Sequence, residues 1–492
     1  MPLRTSVITA AAADPYPFEV GIASGDPDSS SVVLWTRLAP SPLNDDGHGG
    51  MANVNVTVEW QVSLTNTFAA LVASGTVTAT YANAHSVHVV AGGLLADTDY
   101  YYRFRAQGHL SDVGRTRTAP ADGSNGRNLE MLFTSCANYE GGYFTVYRRM
   151  AEENPGVIVH LGDYFYEGGA TADGVRVHAG ATELVSLADY RRRYAQYKTD
   201  PDLQAAHAAA PWLVVFDDHE VENNWAGMVR ANNSPALTTA EWTARRTAAF
   251  QAYYENMPLR PAQANNGNSI PLYRRVRWGS LATFHLLDTR QYRDDQACGD
   301  GWQVCSDADL ASRSLPGNTQ ETWLLNGLNQ HYARWDILAQ QVFFARRYDS
   351  TGAAGMDAWD GYRASRARIQ QGWVDRATRN PVVLTGDVHR AWANDLKANY
   401  DNPNSATIGT ELVTSSVTSG GDGSASTAIP DVDINPWLKF YSARRGYVRT
   451  TISPAQMRVD FRSVDQVTVT NRPAVTAKSF VIEDGQPGVQ AI

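Results

Sequence analysis

The chain has 492 residues, 43% of them hydrophobic, and carries a formal net charge of -9 at pH 7. This length exceeds what one compact core accommodates, so we expect two domains, or one large domain with a smaller one attached. The negative charge argues against a nucleic-acid partner, whose phosphates require a basic surface, and no run of about 20 apolar residues is present to cross a bilayer.

The N-terminal sequence, MPLRTSVITAAAADPYPFEV, is too short and too polar in its middle for an intact export signal. A signal that had been removed would leave no trace in the sequence. The compartment must therefore be inferred from other features of the chain.

Short segments of alternating polar and apolar residues dominate the N-terminal part. They cover residues 54–64, 85–94 and 97–107, and turn-forming residues separate them. The third segment contains DTDYYYRF, a Tyr-rich sequence typical of the corner strand of immunoglobulin-like domains. Residues 1–125 are therefore predicted to form an all-β, immunoglobulin-like sandwich domain.

The sequence pattern changes after residue 125. The polar segment PADGSNGRN, residues 120–128, is a predicted linker. Beyond it, apolar β-type segments alternate with helical segments such as FTVYRRMAEEN and LADYRRRYAQYKTD, which indicates an α/β layered core. Residues 126–492 are therefore predicted to form the second domain.

Three cysteines are present, Cys136, Cys298 and Cys305. The last two lie in ACGDGWQVC, where the spacing allows a disulfide across a small loop if the compartment is oxidising. Pairing of these two would leave Cys136 over, and its presence would then need a separate explanation.

Five β-type segments after residue 125 run directly into polar residues, many of which can bind metals. They are LEMLFTSCANYEGG, VIVHLGDYFYEGG, WLVVFDDHEVENNW, ATFHLLDTRQYRDD and VVLTGDVHRAW. Ligands bind beyond the carboxyl ends of strands in α/β sheets, so we expect these residues to converge. The candidates are Cys136, Asp163, Tyr166, Asp217, Asp218, His219, Asn223, Asn224, Asp387 and His389. One such cluster alone has an ordinary structural explanation, but five of one chemical kind predict a metal site.

These motifs carry a resemblance to a known family. ASGDPDSSSVVLWTRL, SCAN, LGDYFYEG, DDHEVENNW, LDTRQYR, MDAWDGY and GDVH together resemble the alkaline phosphatase D (PhoD-like) family, which includes an actinobacterial phospholipase D. The resemblance implies an N-terminal immunoglobulin-like domain followed by a metallophosphoesterase fold. That fold is an α/β sandwich of two sheets flanked by helices, related to purple acid phosphatases. The resemblance also implies a ferric ion, Fe³⁺, with calcium, Ca²⁺, beside it.

The resemblance assigns four ligands to the iron. Cys136 of SCAN would provide a thiolate, where most metallophosphoesterases have an aspartate. Asp163 of GDYFY would bridge iron and calcium, Tyr166 would provide a phenolate, and His389 of GDVH would complete the set.

The remaining assignments concern calcium and substrate. Asp387 would face the calcium, and Asp218 and Asn223 would be calcium ligands or close neighbours, with Asp217 a weaker candidate. His219 lies where related enzymes have a histidine that contacts the substrate phosphate, so it is the predicted catalytic residue. It would either hold a phosphate oxygen or donate to the leaving oxygen.

The ligand chemistry independently supports this division. Thiolate, phenolate and imidazole suit iron, whereas carboxylate and amide oxygens suit calcium. A metal-bound hydroxide beside two cations would supply the nucleophile, the charge neutralisation and the geometry for hydrolysis of a phosphate ester.

Two absences narrow the mechanism. None of the 11 histidines begins an H-x-K pattern, so the phosphohistidine route of the common phospholipase D superfamily is excluded. A Walker-type loop is also absent from the sequence, which argues against nucleotide-driven phosphoryl transfer. Arg290, Arg293 and Arg390 can clamp a phosphate bidentately, but arginines equally brace carboxylate loops, and none is predicted to be catalytic.

Three hypotheses remain open from the sequence. The first is a secreted phosphomonoesterase or phosphodiesterase, with phospholipase D-type action on phospholipids included and teichoic acid as another possible substrate. The second is a different iron enzyme on the same ligands, such as a dioxygenase, although the two-His, one-carboxylate pattern is missing. The third is a non-catalytic, secreted surface-binding protein. The loops that would select among substrates are residues 167–200 and 415–430, whose shape the sequence does not reveal.

Overall fold

The structure is a computed structural model that describes residues 15–231, 236–328, 330–402 and 404–492. The strands of its N-terminal part follow in chain order as β1 (Ile22–Gly25), β2 (Ser31–Arg37), β3 (Val56–Ser63), β4 (Ala73–Ala79), β5 (Ser86–Gly92), β6 (Asp99–Ala106), β7 (His109–Leu110) and β8 (Gly114–Arg117). The three segments that alternate in the sequence correspond to β3, β5 and β6.

Strand β6 shows how the N-terminal strands form a sandwich. Its side chains alternate, and Tyr100, Tyr102 and Phe104 are buried on one face. They share a hydrophobic cluster with Leu34 of β2 and Val89 of β5, which belong to another sheet. The sheet that contains β6 has the order β4-β3-β6-β7, with β8 also paired to β6. The prediction of an all-β N-terminal region is therefore confirmed.

Strands and helices alternate over much of the region after residue 125. They are β9 (Leu129–Thr134), α1 (Thr145–Glu152), β10 (Val157–Leu161), α2 (Leu187–Lys198), α3 (Pro201–Ala209), β11 (Pro211–Val215), α4 (Thr239–Asn256), β12 (Arg274–Trp278), β13 (Ala282–Leu286), β14 (Trp302–Gln303), α5 (Asn318–Leu328), β15 (Trp335–Ala339), β16 (Ala354–Gly355), α6 (Arg363–Asp375), β17 (Pro381–Thr385), β18 (Ala391–Lys397), β19 (Thr407–Val413), β20 (Leu438–Ser442), β21 (Arg445–Ile452), β22 (Gln456–Val464), β23 (Ala474–Glu483) and β24 (Gln486–Ala491).

Two large sheets organise this region. The first has the order β24-β23-β22-β21-β9-β10-β11-β1-β2-β5, and the second has the order β12-β13-β15-β17-β19-β18-β20. Strands β9, β10 and β11 are parallel, as are β13, β15, β17 and β19. Phe133 and Trp212 of the first sheet share one core cluster with Phe284 and Ile337 of the second. The predicted two-sheet α/β sandwich is confirmed.

Helices α2 and α4 begin where the sequence provides capping boxes. Ser186 and Asp189 form a capping box at the start of α2, and Thr238 and Glu241 form another at the start of α4. Among the described residues, every helix is too short or too polar to cross a bilayer.

The first sheet joins the two halves of the chain. Strand β1 pairs in parallel with β11, with Ser24 opposite Pro211, so N-terminal strands extend the sheet that carries β9 to β11. The predicted linker, residues 120–128, contains no helix or strand, and the Ser124 carbonyl accepts a hydrogen bond from the Ser280 N–H at 2.8 Å. The domain division at residue 125 stays a prediction, because backbone pairing connects both sides of it.

The predicted disulfide is present. Cys298 and Cys305 are bonded, with their Cα atoms 6.1 Å apart, and Cys136 is free and buried. The bond closes a loop that carries Trp302, which is 45% exposed.

Candidate metal centre

The carboxyl ends of four parallel strands from the two sheets meet at one place. These strands are β9, β10, β11 and β17, and the residues that follow them are Cys136, Asp163, Asp217, Asp218, Asp387 and His389. The predicted convergence of the strand ends is therefore observed.

Several of these residues have a left-handed backbone, which residues other than glycine rarely adopt. The angle φ is 62° at Cys136, 52° at Asp163, 62° at Asp387 and 56° at His389. Such conformations cost about 1–3 kcal/mol each and concentrate at functional sites. In GDVH, both left-handed residues contribute to candidate ligand groups, which explains how side chains two positions apart reach one centre.

The first ligand group contains sulfur, nitrogen and oxygen atoms. Cys136 Sγ, a carboxylate oxygen of Asp163 and a ring nitrogen of His389 lie within 4.8 Å of one another. The Tyr166 hydroxyl donates to Asp163 Oδ2 at 3.1 Å and lies 2.9 Å from His389 Nε2. All four residues that the sequence assigned to one metal are thus neighbours.

The other two groups are rich in carboxylates. One joins Asp163 and Asp218 to His219, and the other joins Asp217 and Asp218 to Asp387, again within 4.8 Å. Among the described residues, Asp163 Oδ1, Asp217 Oδ2 and Asp218 Oδ1 are buried without a hydrogen-bond partner. Buried polar atoms nearly always have partners, so these oxygens fit a site built for cations.

The pKa values show that burial and neighbouring carboxylates disfavour the charged form of several of these acids. Burial, followed by neighbouring carboxylates, raises the pKa of Asp163 and of Asp387 well above the usual range. Burial also raises the pKa of Asp217 to about 7, although Arg290 acts in the opposite direction. At Asp218, burial raises the pKa, but the charges of Arg290 and His219 outweigh it and the net shift is downward.

His219 is oriented by an acid that the sequence analysis did not single out. Its Nδ1 lies 2.6 Å from Glu167 Oε2, and its ring lies 4.0 Å from that of Tyr166 between centroids. Burial lowers the pKa of His219, but Glu167, Asp218 and other acids outweigh it and raise the pKa well above its usual value. Glu167 directly follows Tyr166 in LGDYFYEG, so the motif contained the signal but not its role.

The two asparagines lie toward the rim of the centre. Asn223 is exposed, and its backbone N–H donates to Glu167 Oε1 at 2.7 Å. Asn224 donates its backbone N–H to Asp218 Oδ2 at 2.7 Å and its side-chain amide to Asp300 at 2.6 Å. The assignment of Asn223 to calcium stays a prediction.

Arg290 braces the carboxylates and has no exposed surface. Its Nε donates to Asp217 Oδ1 at 2.6 Å, and both of its terminal nitrogens donate to Asp357 at 2.8 Å. Arg293 and Gln296 also donate to Asp357. The sequence left open whether these arginines clamp a phosphate or brace carboxylate loops, and the contacts show that Arg290 and Arg293 brace carboxylates. Asp357 lies in MDAWDGY, a motif whose role the sequence alone did not reveal.

Two further buried residues fix the backbone of the ligand turns. Glu220 accepts hydrogen bonds from the N–H groups of Asp163, Tyr164 and Asp217 at 3.1, 2.6 and 2.9 Å, and burial raises its pKa to about 8. Arg445 donates to the carbonyl of His389 at 2.8 Å. Glu220 lies within DDHEV, whereas nothing near Arg445 in the sequence indicated this contact.

Comparisons with known proteins agree with this geometry. The family model described as PhoD-like phosphatase matches residues 131–461, and the model of the PhoD-like phosphatase N-terminal domain matches residues 4–120. Alkaline phosphatase D of Bacillus subtilis (strain 168) is 46% identical over an alignment of 488 positions, and the match covers 97% of this chain and 82% of that protein. A solved structure titled "Structure of PhoD" superimposes with a TM-score of 0.94 at 45% identity, covering 98% of this chain and 93% of the other.

The fold and the ligand groups define a metal-dependent phosphoesterase. The chain belongs to the PhoD-like phosphatase family and is an enzyme that hydrolyses phosphate esters. The resemblance drawn from SCAN, LGDYFYEG, DDHEVENNW and GDVH is confirmed.

Proposed function

We propose that the enzyme hydrolyses phosphate monoesters or diesters at a centre of Fe³⁺ and Ca²⁺. One observation carries this proposal: three buried carboxylate oxygens without hydrogen-bond partners lie beside a thiol, a phenol and an imidazole at the ends of parallel strands. A set of this composition fits two cations of different character.

The iron would be held by Cys136, Tyr166, His389 and Asp163. Sulfur and phenolate oxygen are strong electron donors, which suit a ferric ion. Burial lowers the pKa of His389 to about 3, so the imidazole is neutral at pH 7, the form in which it binds a metal.

The calcium would be held by Asp218, Asp387 and Asn223, with Asp163 shared between the two ions. Asp217 would be a weaker candidate for the same ion through Oδ2, which has no hydrogen-bond partner, because its Oδ1 is held by Arg290. Carboxylate and amide oxygens are the ligands that calcium prefers.

The bound cations would lower the pKa of a water molecule and neutralise charge on the phosphate. His219 is the residue of this chain that we assign to the substrate. Glu167 holds Nδ1, which leaves Nε2 to hold a phosphate oxygen or to donate to the leaving oxygen.

We further propose that the enzyme acts outside the cytosol. The Cys298–Cys305 bond supports an oxidising compartment, where such bonds persist.

The substrate classes to compare are simple monoesters and diesters, phospholipids and teichoic acid. Membership of the PhoD-like phosphatase family favours a phosphoesterase over a surface-binding protein or a different iron enzyme.

The test is hydrolysis of p-nitrophenyl phosphate and bis-p-nitrophenyl phosphate, with and without added Ca²⁺. We expect turnover of at least one ester, loss of activity after prolonged chelation, and recovery with Ca²⁺. A protein that binds iron and calcium but hydrolyses neither ester would contradict the proposal. Full activity in the absence of calcium would show that the second metal is a different one.

A further inference from the structure

A cavity of about 390 Å³ adjoins the metal centre on the side of His389. Arg347, Arg390, Trp392 and Tyr441 line it together with His389, and no carboxylate is among its lining residues. Because His389 is also a candidate ligand, the cavity lies next to the place where the ester would be hydrolysed.

The two arginines of this cavity lack a directly paired acid among the described residues. Within the described part of the chain, neither Arg347 nor Arg390 forms an ion pair, and Arg347 Nε is buried without a hydrogen-bond partner. The charges of Asp431 and Asp360 reach Arg347, but neither acid forms an ion pair with it, and Asp360 is paired with Arg366 at 2.7 Å. Two cationic side chains without ion-pair partners beside a phosphoesterase centre are suited to an anion.

Arg347 is held in place by aromatic rings. Its guanidinium lies 4.9 Å from the ring centroid of Trp302 and 4.9 Å from that of Trp392. Trp302 belongs to the loop closed by Cys298 and Cys305. Asp300 of the same loop accepts the side-chain amide of Asn224, so the disulfide loop connects Arg347 to the turn that carries the calcium-side ligands.

We propose that Arg347 and Arg390 form a subsite for a second phosphate group of the substrate, apart from the ester that is hydrolysed. Trp302 acts as a positioning residue for Arg347. This inference rests on the proposed function and specifies its substrate class: compounds with two or more phosphates joined by a short organic chain. Guanidinium groups match phosphate with paired hydrogen bonds, and the fixed rings reduce the freedom that Arg347 loses on binding.

The experiment compares substrates that differ only in the second phosphate. Propyl phosphate is paired with propane-1,3-diol bisphosphate, and hexyl phosphate with hexane-1,6-diol bisphosphate, so that two spans are sampled. We expect at least one bisphosphate to have a kcat/KM about tenfold above its partner, mainly through KM. Arg347→Met should reduce this preference to about parity, and Trp302→Ala should reduce it by a smaller factor.

Arg346→Met is the matched control. Arg346 is adjacent in sequence, but it pairs with Asp401 and packs on Tyr400 and Trp437 instead of lining the cavity. Its replacement should retain the preference.

The outcomes separate the two proposals. If wild-type enzyme hydrolyses the chromogenic esters but shows no preference for either bisphosphate, the subsite is overturned while the proposed function stands. The same holds if Arg347→Met retains the preference. If the enzyme hydrolyses none of these esters, the proposed function is overturned and the subsite with it.

Discussion

The two halves of the metal centre differ in how burial and neighbouring charges affect the protonation of their ligands. Around Cys136, Tyr166 and His389, burial favours the neutral thiol, phenol and imidazole, because it raises the first two pKa values and lowers the third. At Asp218, the charges of the buried Arg290 and of His219 hold the pKa below its usual value, whereas at Asp217 the same arginine only opposes the larger effect of burial. The first half is therefore close to neutral without a metal, whereas the second keeps the negative charge of Asp218.

This difference indicates what each half requires from its cation. The sulfur-containing half would have to lose protons to bind the proposed iron, so its selectivity would come from the type of ligand. The carboxylate half carries the charge of Asp218 in advance, and Arg290, which Asp357 holds in place, supports that charge. Asp163 belongs to groups in both halves and links them.

The most severe disruption of both halves is expected from Asp163→Asn. It removes the charge shared by the two ions, so both metals should be lost and kcat/KM should fall by more than the roughly 100-fold typical of an outer-shell residue. The measurements are metal content and hydrolysis of p-nitrophenyl phosphate. Asp288→Asn is the control, because Asp288 is a buried acid at another strand end that belongs to none of the three ligand groups.

Retention of either metal by Asp163→Asn would break the comparison, since the halves would then be independent. Loss of metals in Asp288→Asn would instead attribute the effect to general disruption of the strand ends.

Glu167→Gln should lower kcat by about 10- to 100-fold with metal content unchanged, because Glu167 holds the ring of His219. In a double mutant with His219→Asn, the second substitution should add little to the loss of kcat, since both residues act through one imidazole. A fully additive double mutant would show that Glu167 acts elsewhere. Glu241→Gln, at the exposed third position of α4, is the control for an ordinary glutamate replacement.

Metal removal should affect stability more at neutral than at acidic pH. The folded-state pKa values of Asp163, Asp387 and Asp217 lie above their unfolded values, with that of Asp217 at about 7. Their contribution to stability is present below about pH 4 and is lost as the pH rises toward 7.

We therefore expect the Tm difference between metal-loaded and chelated protein to be larger at pH 7.5 than at pH 5. Cations at 100 times their Kd would add about 2.7 kcal/mol of stability. An equal Tm difference at both pH values would mean that the carboxylate half carries no excess charge, contrary to the comparison above.

The strand ends were predictable from the sequence because local pattern determines them. Apolar β-type segments ran directly into Cys136, Asp163, Asp217 and Asp387, and the structure brings these residues together. The left-handed turns that direct them inward leave little sequence signal, because residues other than glycine occupy them.

The supporting contacts were not predictable because they join distant parts of the chain. Arg290 and Asp357 are 67 positions apart, and Glu167 and His219 are 52 apart. Similarly, the pairing of β1 with β11 places an N-terminal strand in the sheet of the metal centre, which composition near residue 125 did not indicate.

Metal content measured beside the visible spectrum tests the iron half of the centre most directly. Wild-type protein should contain iron and calcium and show a charge-transfer band, because thiolate and phenolate donate electrons to ferric iron. Tyr166→Phe should remove or shift the band, His389→Ala should lose iron and activity together, and Asp387→Asn should weaken calcium more than iron. A colourless wild-type protein loaded with zinc, or a His389→Ala protein that keeps its iron, would contradict the assignment of Cys136, Asp163, Tyr166 and His389 as iron ligands.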